Sequence, residues 1–334
     1  MEAKKLGWLC SSLIFFLLAV LYPASTLAQR NEVFVLVSNH FPYYWNSYVG
    51  VERGFFADEN LDVKIVAMGS AELSLKGIIG GSGQVALTNP IGAILARRQG
   101  APVTIVGSII HKPLYELIAA PRFRSIKDLK GETLAVQSMF SAEGVLLRTL
   151  LQRHGLSYPR DFTVFQVAGG TRGRLAAVTS GRLAAALLVI PTNVIALEQG
   201  LISLGTTVDI WPSFEFVNIV ADQRWLSQKP QATIGFLTAM LRANRWLYDP
   251  RNKREAAEIL TKYTKLSAKH AELSYDAYLA KYKAISPDAT NQTEGFQQME
   301  KVMMELGQLD GVYPMEEFVD KQPLERALER VKGK

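Results

Sequence analysis

The phrase SGQVALTNP at residues 82–90 returns as SGRLAAALLVIPTN at residues 180–193, and its surroundings return with it. Gly69 and Gly169, Gly83 and Gly181, Gly100 and Gly200, and Pro113 and Pro212 each recur at a spacing of about 100 residues. A repeat that long contains several secondary elements, so the chain is expected to build two alike units. In the first copy, YVGVERGFFADEN reads as a helix closed by Gly54, LDVKIVAM as an alternating strand, and SAELSLKGIIG as a helix ended by glycines. QVALT is then a strand, Asn89 an N-cap, Pro90 the first helical position, and IGAILARRQG a helix with basic residues at its C-terminal end. The second copy follows the same plan with EGVLLRTLLQRHG, DFTVFQVA, TRGRLAAVTSG, LAAALLVI and TNVIALEQG.

Strands alternating with helices in this way predict two α/β lobes. After each copy come a further strand, a proline and an apolar extended run, LYELIAAP at 114–121 and FEFVNIVA at 214–221. These two runs are expected to be the crossover strands of a two-strand hinge. The first lobe then occupies 29–117, the second 118–218, and the chain returns to the first over 219–334. That return reads as helices, among them PQATIGFLTAMLRANRWLYD and EGFQQMEKVMMEL. The stripe of Met299, Met303 and Met304 has the helical spacing of a core face.

Residues 1–28 read differently. Lys4 and Lys5 precede an apolar run from Leu13 to Leu21, and Thr26-Leu27-Ala28 follows, which is the order of a secretory signal peptide cut after Ala28. The run is shorter than the roughly 20 apolar residues a spanning helix needs. The single cysteine, Cys10, falls inside this segment, so the processed chain would carry neither a disulfide nor a thiol nucleophile. A hydrophobic content of 48% can fill two ordinary cores, and the expectation is a soluble, monomeric protein in the periplasm. The net charge of +6 is spread thinly; RFRSIKDLK and RNKRE contain acids and lack interleaved aromatics, so no nucleic-acid face is expected.

Enzyme signatures are sparse. The four histidines are isolated, and no zinc-protease, nucleophile-elbow or P-loop motif is present. GSGQVA at 81–86 fits a dinucleotide pattern, but its glycines end a helix and open a strand, the reverse of the required context. No cofactor and no metal site is expected. The remaining candidates are strand-to-helix junctions, where helix N-termini offer unpaired N–H groups to a ligand: Ser70, Asn89, the loop of Ser138, Phe140 and Ser141, Thr171, and Thr192. Any one of them is equally a simple helix cap. Phe41, Tyr43, Tyr44 and Trp45 form a dense aromatic group after the first strand, expected either to wall a small-molecule site or to close the core.

With VGVERGFFADENLDVKIV, SGQVALTNP, ARRQGAPVTIVGSI, SIKDLKGETLAVQ, LLQRHGLSYPRDFTVFQVAGG and FVNIVADQRWLSQKP set side by side, the chain resembles the solute-binding proteins of ABC importers for aliphatic sulfonates, taurine and thiamine-type pyrimidines, the SsuA/TauA-like and no-message-in-thiamine group. The resemblance runs from about Val33 to the C-terminus. It implies the type II periplasmic-binding fold with a helical C-terminal part, two lobes closing on ligand, and delivery to a membrane permease driven by a separate ATPase. It also implies contacts from the Phe41–Trp45 loop, Ser70, Asn89, the Ser138–Ser141 loop, Thr171 and Thr192 to an anionic or zwitterionic, sulfonate-like ligand. This chain departs from the family in carrying Ala86 and Ala184 where an Asp is usual. The alternatives are a pyrimidine-type ligand and a secreted enzyme on the same fold, with Glu116 and Glu215 as its acid and base.

Overall fold

The computed structural model describes residues 30–139 and 141–333. The signal-peptide reading of 1–28, Cys10 within it, and Phe140 lie outside the described residues.

The first copy of the repeat supplies four strands, β1 (Asn31–Val37), β2 (Leu61–Ala67), β3 (Val85–Thr88) and β4 (Val103–Ile110). The second copy is opened by β5 (Tyr115–Ala119) and supplies β6 (Thr133–Val136), β7 (Thr163–Gln166), β8 (Ala185–Val189) and β9 (Ile202–Thr206), after which β10 (Val217–Asp222) follows. They form two five-stranded sheets, in the orders β2-β1-β3-β10-β4 and β7-β6-β8-β5-β9. The two orders are one pattern. Each sheet places the second, first and third strands of its copy side by side, then one antiparallel strand, then the fourth.

That antiparallel strand comes from the crossover. β10 runs antiparallel to β3, with Ile219 opposite Leu87, and antiparallel to β4 on its other side. β5 runs antiparallel to β8, with Leu117 opposite Leu187, and to β9. The runs read as crossover strands therefore each belong wholly to one sheet. The chain passes between the sheets through residues 111–114 and returns through 207–216. β3 and β8, central in their sheets, are buried along their whole length, which is why they read as nearly continuous apolar runs.

Helices follow the strands as the repeat predicts. α1 (Trp45–Glu52), α2 (Phe55–Asp58), α3 (Ala71–Ile79) and α4 (Pro90–Arg98) belong to the first copy, and α5 (Ala142–Arg153), α6 (Gly170–Thr179) and α7 (Thr192–Glu198) to the second. Ser70, Asn89 and Ser141 each accept a backbone N–H three residues on, from Leu73, Gly92 and Gly144, and so cap α3, α4 and α5.

After β10 the chain is almost wholly helical: α8 (Gln223–Gln228), α9 (Pro230–Tyr248), α10 (Lys253–Thr264), α11 (Ala268–Tyr275), α12 (Thr293–Glu305) and α13 (Gln322–Lys332). α9, α10 and α13 pack on the first copy, whereas α12 meets α5 of the second. Phe236 of α9 stacks on Phe56 with centroids 5.2 Å apart, and Tyr275 of α11 meets Trp45 edge-on. Met299 and Met303 are buried core residues, as their spacing predicts, while Met304 is half-buried. Among the described residues, no helix is long and apolar enough to cross a membrane.

Candidate functional site

The loops that leave the carboxyl ends of β1, β3 and β6 line a cavity of about 40 Å3. The first copy contributes Ser38, Phe41, Tyr43, Tyr44 and the Thr88-Asn89 turn to its wall; the second contributes Gln137, Ser141, Glu143 and Arg174. Tyr115 and Phe216, from the two passages between the sheets, complete it.

The aromatic part is a set of edge-to-face contacts. Tyr43 meets Tyr44 at 5.4 Å and Phe216 at 5.7 Å, and Phe216 meets Tyr115 at 5.4 Å. Rings in this geometry support one another through their quadrupoles and hold a rigid apolar wall. Ser38 Oγ and Tyr44 OH share a hydrogen bond of 3.1 Å. Burial pushes the Tyr44 phenol up to about 12, with the Ser38 hydrogen bond pulling the other way, and raises Tyr43 and Tyr115 as well. The phenols are neutral at physiological pH and offer both a donor and an acceptor.

The charged part is a buried pair. Glu143 and Arg174 are each 2% exposed, with Arg174 Nε 3.4 Å from Glu143 Oε1. Glu143 Oε2 accepts the Gln137 backbone N–H at 2.8 Å, and Arg174 Nε donates to the Leu187 carbonyl at 3.4 Å. Arg174 Nη1 and Gln137 Nε2 have no hydrogen-bond partner, and Glu143 Oε1 accepts no hydrogen bond and is held only by its ion-pair contact with Arg174 Nε. Burial drives the Glu143 carboxyl above its ordinary range, opposed by Arg174 and by the Gln137 N–H. Buried polar atoms are almost always paired, and here Arg174 Nη1 and Gln137 Nε2 are left without a partner on residues that line the cavity.

Local sequence explains how the pair is held. Gly144 lets α5 start tight against the preceding loop, because a Cβ there would lie 2.1 Å from the Ser138 carbonyl oxygen. Arg174 sits one turn after Thr171 on the buried face of α6, beside Leu175 and Val178. The Thr171 hydroxyl is buried and has no partner.

Of the candidates read from the sequence, Phe41, Tyr43, Tyr44, Asn89 and Ser141 line the cavity. Ser70 caps α3 beside Ala71, which does line it. Ser138 and Thr171 are buried next to lining residues. Thr192 opens α7, and its neighbour Asn193 lines a different pocket. Trp45 is placed elsewhere: it is 0% exposed, and its indole N–H donates to the Ala256 carbonyl at 3.0 Å in the core. Glu143, Arg174, Tyr115 and Phe216 were not singled out. The available signal was a charge at a core register: Glu143 precedes Leu146 and Leu147 by one turn, and Arg174 falls in line with Thr171 and Val178.

The carboxylates considered for acid–base work do not meet in this cavity. Glu215 is fully buried, accepting from Gln292 N–H, Asn218 and Asn291, and Glu116 accepts from Asn193 in the other pocket. Ser267, His270 and Glu198 are linked by contacts of 2.9 and 3.1 Å. There the Ser267 hydroxyl is occupied in capping α11, and none of the three lines the cavity.

Two α/β sheets of this shared order, with a cavity at the carboxyl ends of their strands, define the two-lobed periplasmic-binding fold. Residues 39–253 match the family described as NMT1/THI5 like, and the chain belongs to that family. It is 27% identical over 262 residues to the formylaminopyrimidine-binding protein of Halalkalibacterium halodurans, covering 74% of this chain and 77% of that one. In structure it is similar to the alkanesulfonate-binding protein SsuA of Xanthomonas axonopodis pv. citri bound to MOPS, with a TM-score of 0.72 at 15% identity, covering 88% of this chain and 99% of that one. The desulfurization enzyme DSZB has the same fold, with a TM-score of 0.67 at 12% identity and coverage of 90% and 99%.

Proposed function

We propose that this chain is the extracytoplasmic solute-binding protein of an ABC importer, and that it captures a small organic molecule carrying both an acceptor and a donor group, a zwitterion in the simplest case. The observation that carries the ligand class is Arg174 Nη1, which has no hydrogen-bond partner, beside a Glu143 Oε1 that accepts no hydrogen bond and is held only by its long contact with Arg174 Nε. A guanidinium held 3.4 Å from a carboxylate presents almost no net charge. A simple oxyanion would satisfy Arg174 but leave Glu143 Oε1 facing negative charge at short range in a poorly solvated site. A ligand with an anionic or carbonyl oxygen toward Arg174 and an N–H toward Glu143 satisfies both.

In this reading the two lobes, divided at the passages 111–114 and 207–216, close on the ligand, and the monomer delivers it to a permease powered by a separate ATPase. The signal segment takes the chain to the periplasm, where the N-terminus of the exported protein is Gln29 or a residue close to it. A second ligand, a pyrimidine whose ring edge carries the same donor and acceptor, is favoured by the aromatic wall and by the name of the Halalkalibacterium relative.

Calorimetric titration of the protein with taurine, with butanesulfonate and with an aminopyrimidine separates these ligands, alongside mass spectrometry of whatever copurifies. Taurine or the pyrimidine is expected to bind and butanesulfonate to bind at least tenfold more weakly, about 1.4 kcal/mol. Equal or tighter butanesulfonate binding refutes the role given to Glu143. Recovery of a bound ligand in chemically altered form refutes the binding-protein reading itself.

A further inference from the structure

A second pocket lies on the other side of Tyr115, with a volume of about 120 Å3, where roughly 10–15 Å3 suffices for one water. Its polar lining is made by Glu116, Asn193 and Thr206, its aromatic lining by Tyr115 and Tyr282, and its apolar lining by residues such as Ile190 and Val208.

We propose that this pocket is a binding site for a small primary ammonium cation. Asn193 Nδ2 donates to Glu116 Oε2 at 2.6 Å. That bond fixes the amide orientation, because turning it over would set its oxygen against the carboxylate. The oxygen that remains, Asn193 Oδ1, is the atom without a partner, on a side chain only 7% exposed. The pocket therefore offers a carboxylate and an unsatisfied amide oxygen, which ask for N–H donors and positive charge, between tyrosine rings whose faces attract cations. The negative charge disfavours anions.

The surroundings already show the preference. Lys281 holds its ammonium 4.7 Å from the centroid of Tyr282, and its pKa is raised by a hydrogen bond to Tyr282 and, more weakly, by Asp209 and Glu116. Its positive charge on the Tyr282 ring opposes a further cation there. Apart from Tyr115, which lines both, the site stands on its own lining and does not depend on what the cavity beside Glu143 holds.

The test is a titration of the 15N-labelled protein with methylammonium chloride at constant ionic strength, read on the side-chain amide signals of Asn193. A saturable shift is expected with methylammonium and not with sodium or tetramethylammonium, which lacks N–H donors. Glu116→Gln is expected to weaken binding about tenfold or more, since a charge-assisted hydrogen bond is lost, and Lys281→Met to strengthen it. Tyr282→Leu leaves the carboxylate in place and is expected to weaken binding several-fold, which keeps the test decisive if Glu116→Gln fails to fold. Absence of a saturable shift means the pocket holds water only and overturns the proposal, as does an equal shift with sodium or unchanged affinity in whichever of the Glu116 and Tyr282 variants folds.

Discussion

Trp45→Ala separates the core from the cavity wall, and the structure fixes the direction. The indole is fully buried, its ring meets Tyr275 at 6.0 Å, and its N–H is bonded to the Ala256 carbonyl of α10. Truncation removes the whole ring and leaves a cavity that the surrounding helices fill only in part, a change that costs about 3–5 kcal/mol. The Ala256 carbonyl loses its indole donor as well, adding about 1 kcal/mol. For a chain of this length, where 1 kcal/mol moves the midpoint by roughly 2 °C, the melting temperature falls by about 8–12 °C. Because Trp45 does not line the cavity, the folded fraction keeps its affinity for the copurifying solute within about 0.5 kcal/mol. Thermal melts followed by circular dichroism, beside calorimetric titration below the transition, measure both quantities. A melting temperature lowered by less than about 2 °C, together with a tenfold weaker affinity, would refute the placement and return Trp45 to the site.

Thr171→Val replaces a buried, unpartnered hydroxyl with a methyl of similar size. The ligand-free protein should be unchanged or more stable by up to about 1 kcal/mol, while binding weakens by about 0.5–1.5 kcal/mol if the ligand reaches the hydroxyl; a marked loss of stability contradicts the orphaned geometry. Gly170→Ala places a Cβ 2.9 Å from the Phe41 ring at a φ of +64°, so it opposes the contact between the halves. Small-angle scattering should show a larger radius of gyration for this variant with ligand than for wild type with ligand, and identical compaction argues against closure at this contact. Burial, reinforced by Lys112, lowers the His111 pKa to about 4. The unfolded chain takes up this proton near pH 6.5 and the folded one only near 4, so the His111 contribution is complete above 6.5 and lost as pH falls toward 4. His111→Gln should flatten the stability profile in that window, and an unchanged slope in urea melts rules the group out.

The repeat made the fold legible. Its glycines and caps are local devices, and local chemistry can be read in order along a chain: Asn89 before Pro90, Ser70 before α3 and Ser141 before α5 cap as their types require. The apolar runs at 114–121 and 214–221 were equally visible, but which sheet each joins was not. An antiparallel strand satisfies its backbone groups against any open edge, and only the closing of both sheets decides that β5 lies between β8 and β9 and β10 between β3 and β4. The aromatic loop shows the same division. Sequence marks Phe41, Tyr43, Tyr44 and Trp45 as one group, yet the start of α1 turns Trp45 toward α10 and α11 while Phe41, Tyr43 and Tyr44 stay at the cavity. Glu143 and Arg174 are 31 positions apart on separate helices, and neither carries a motif. Their pairing arises from distance and burial, because only the folded chain brings the two charges together and takes away the water that would otherwise satisfy them.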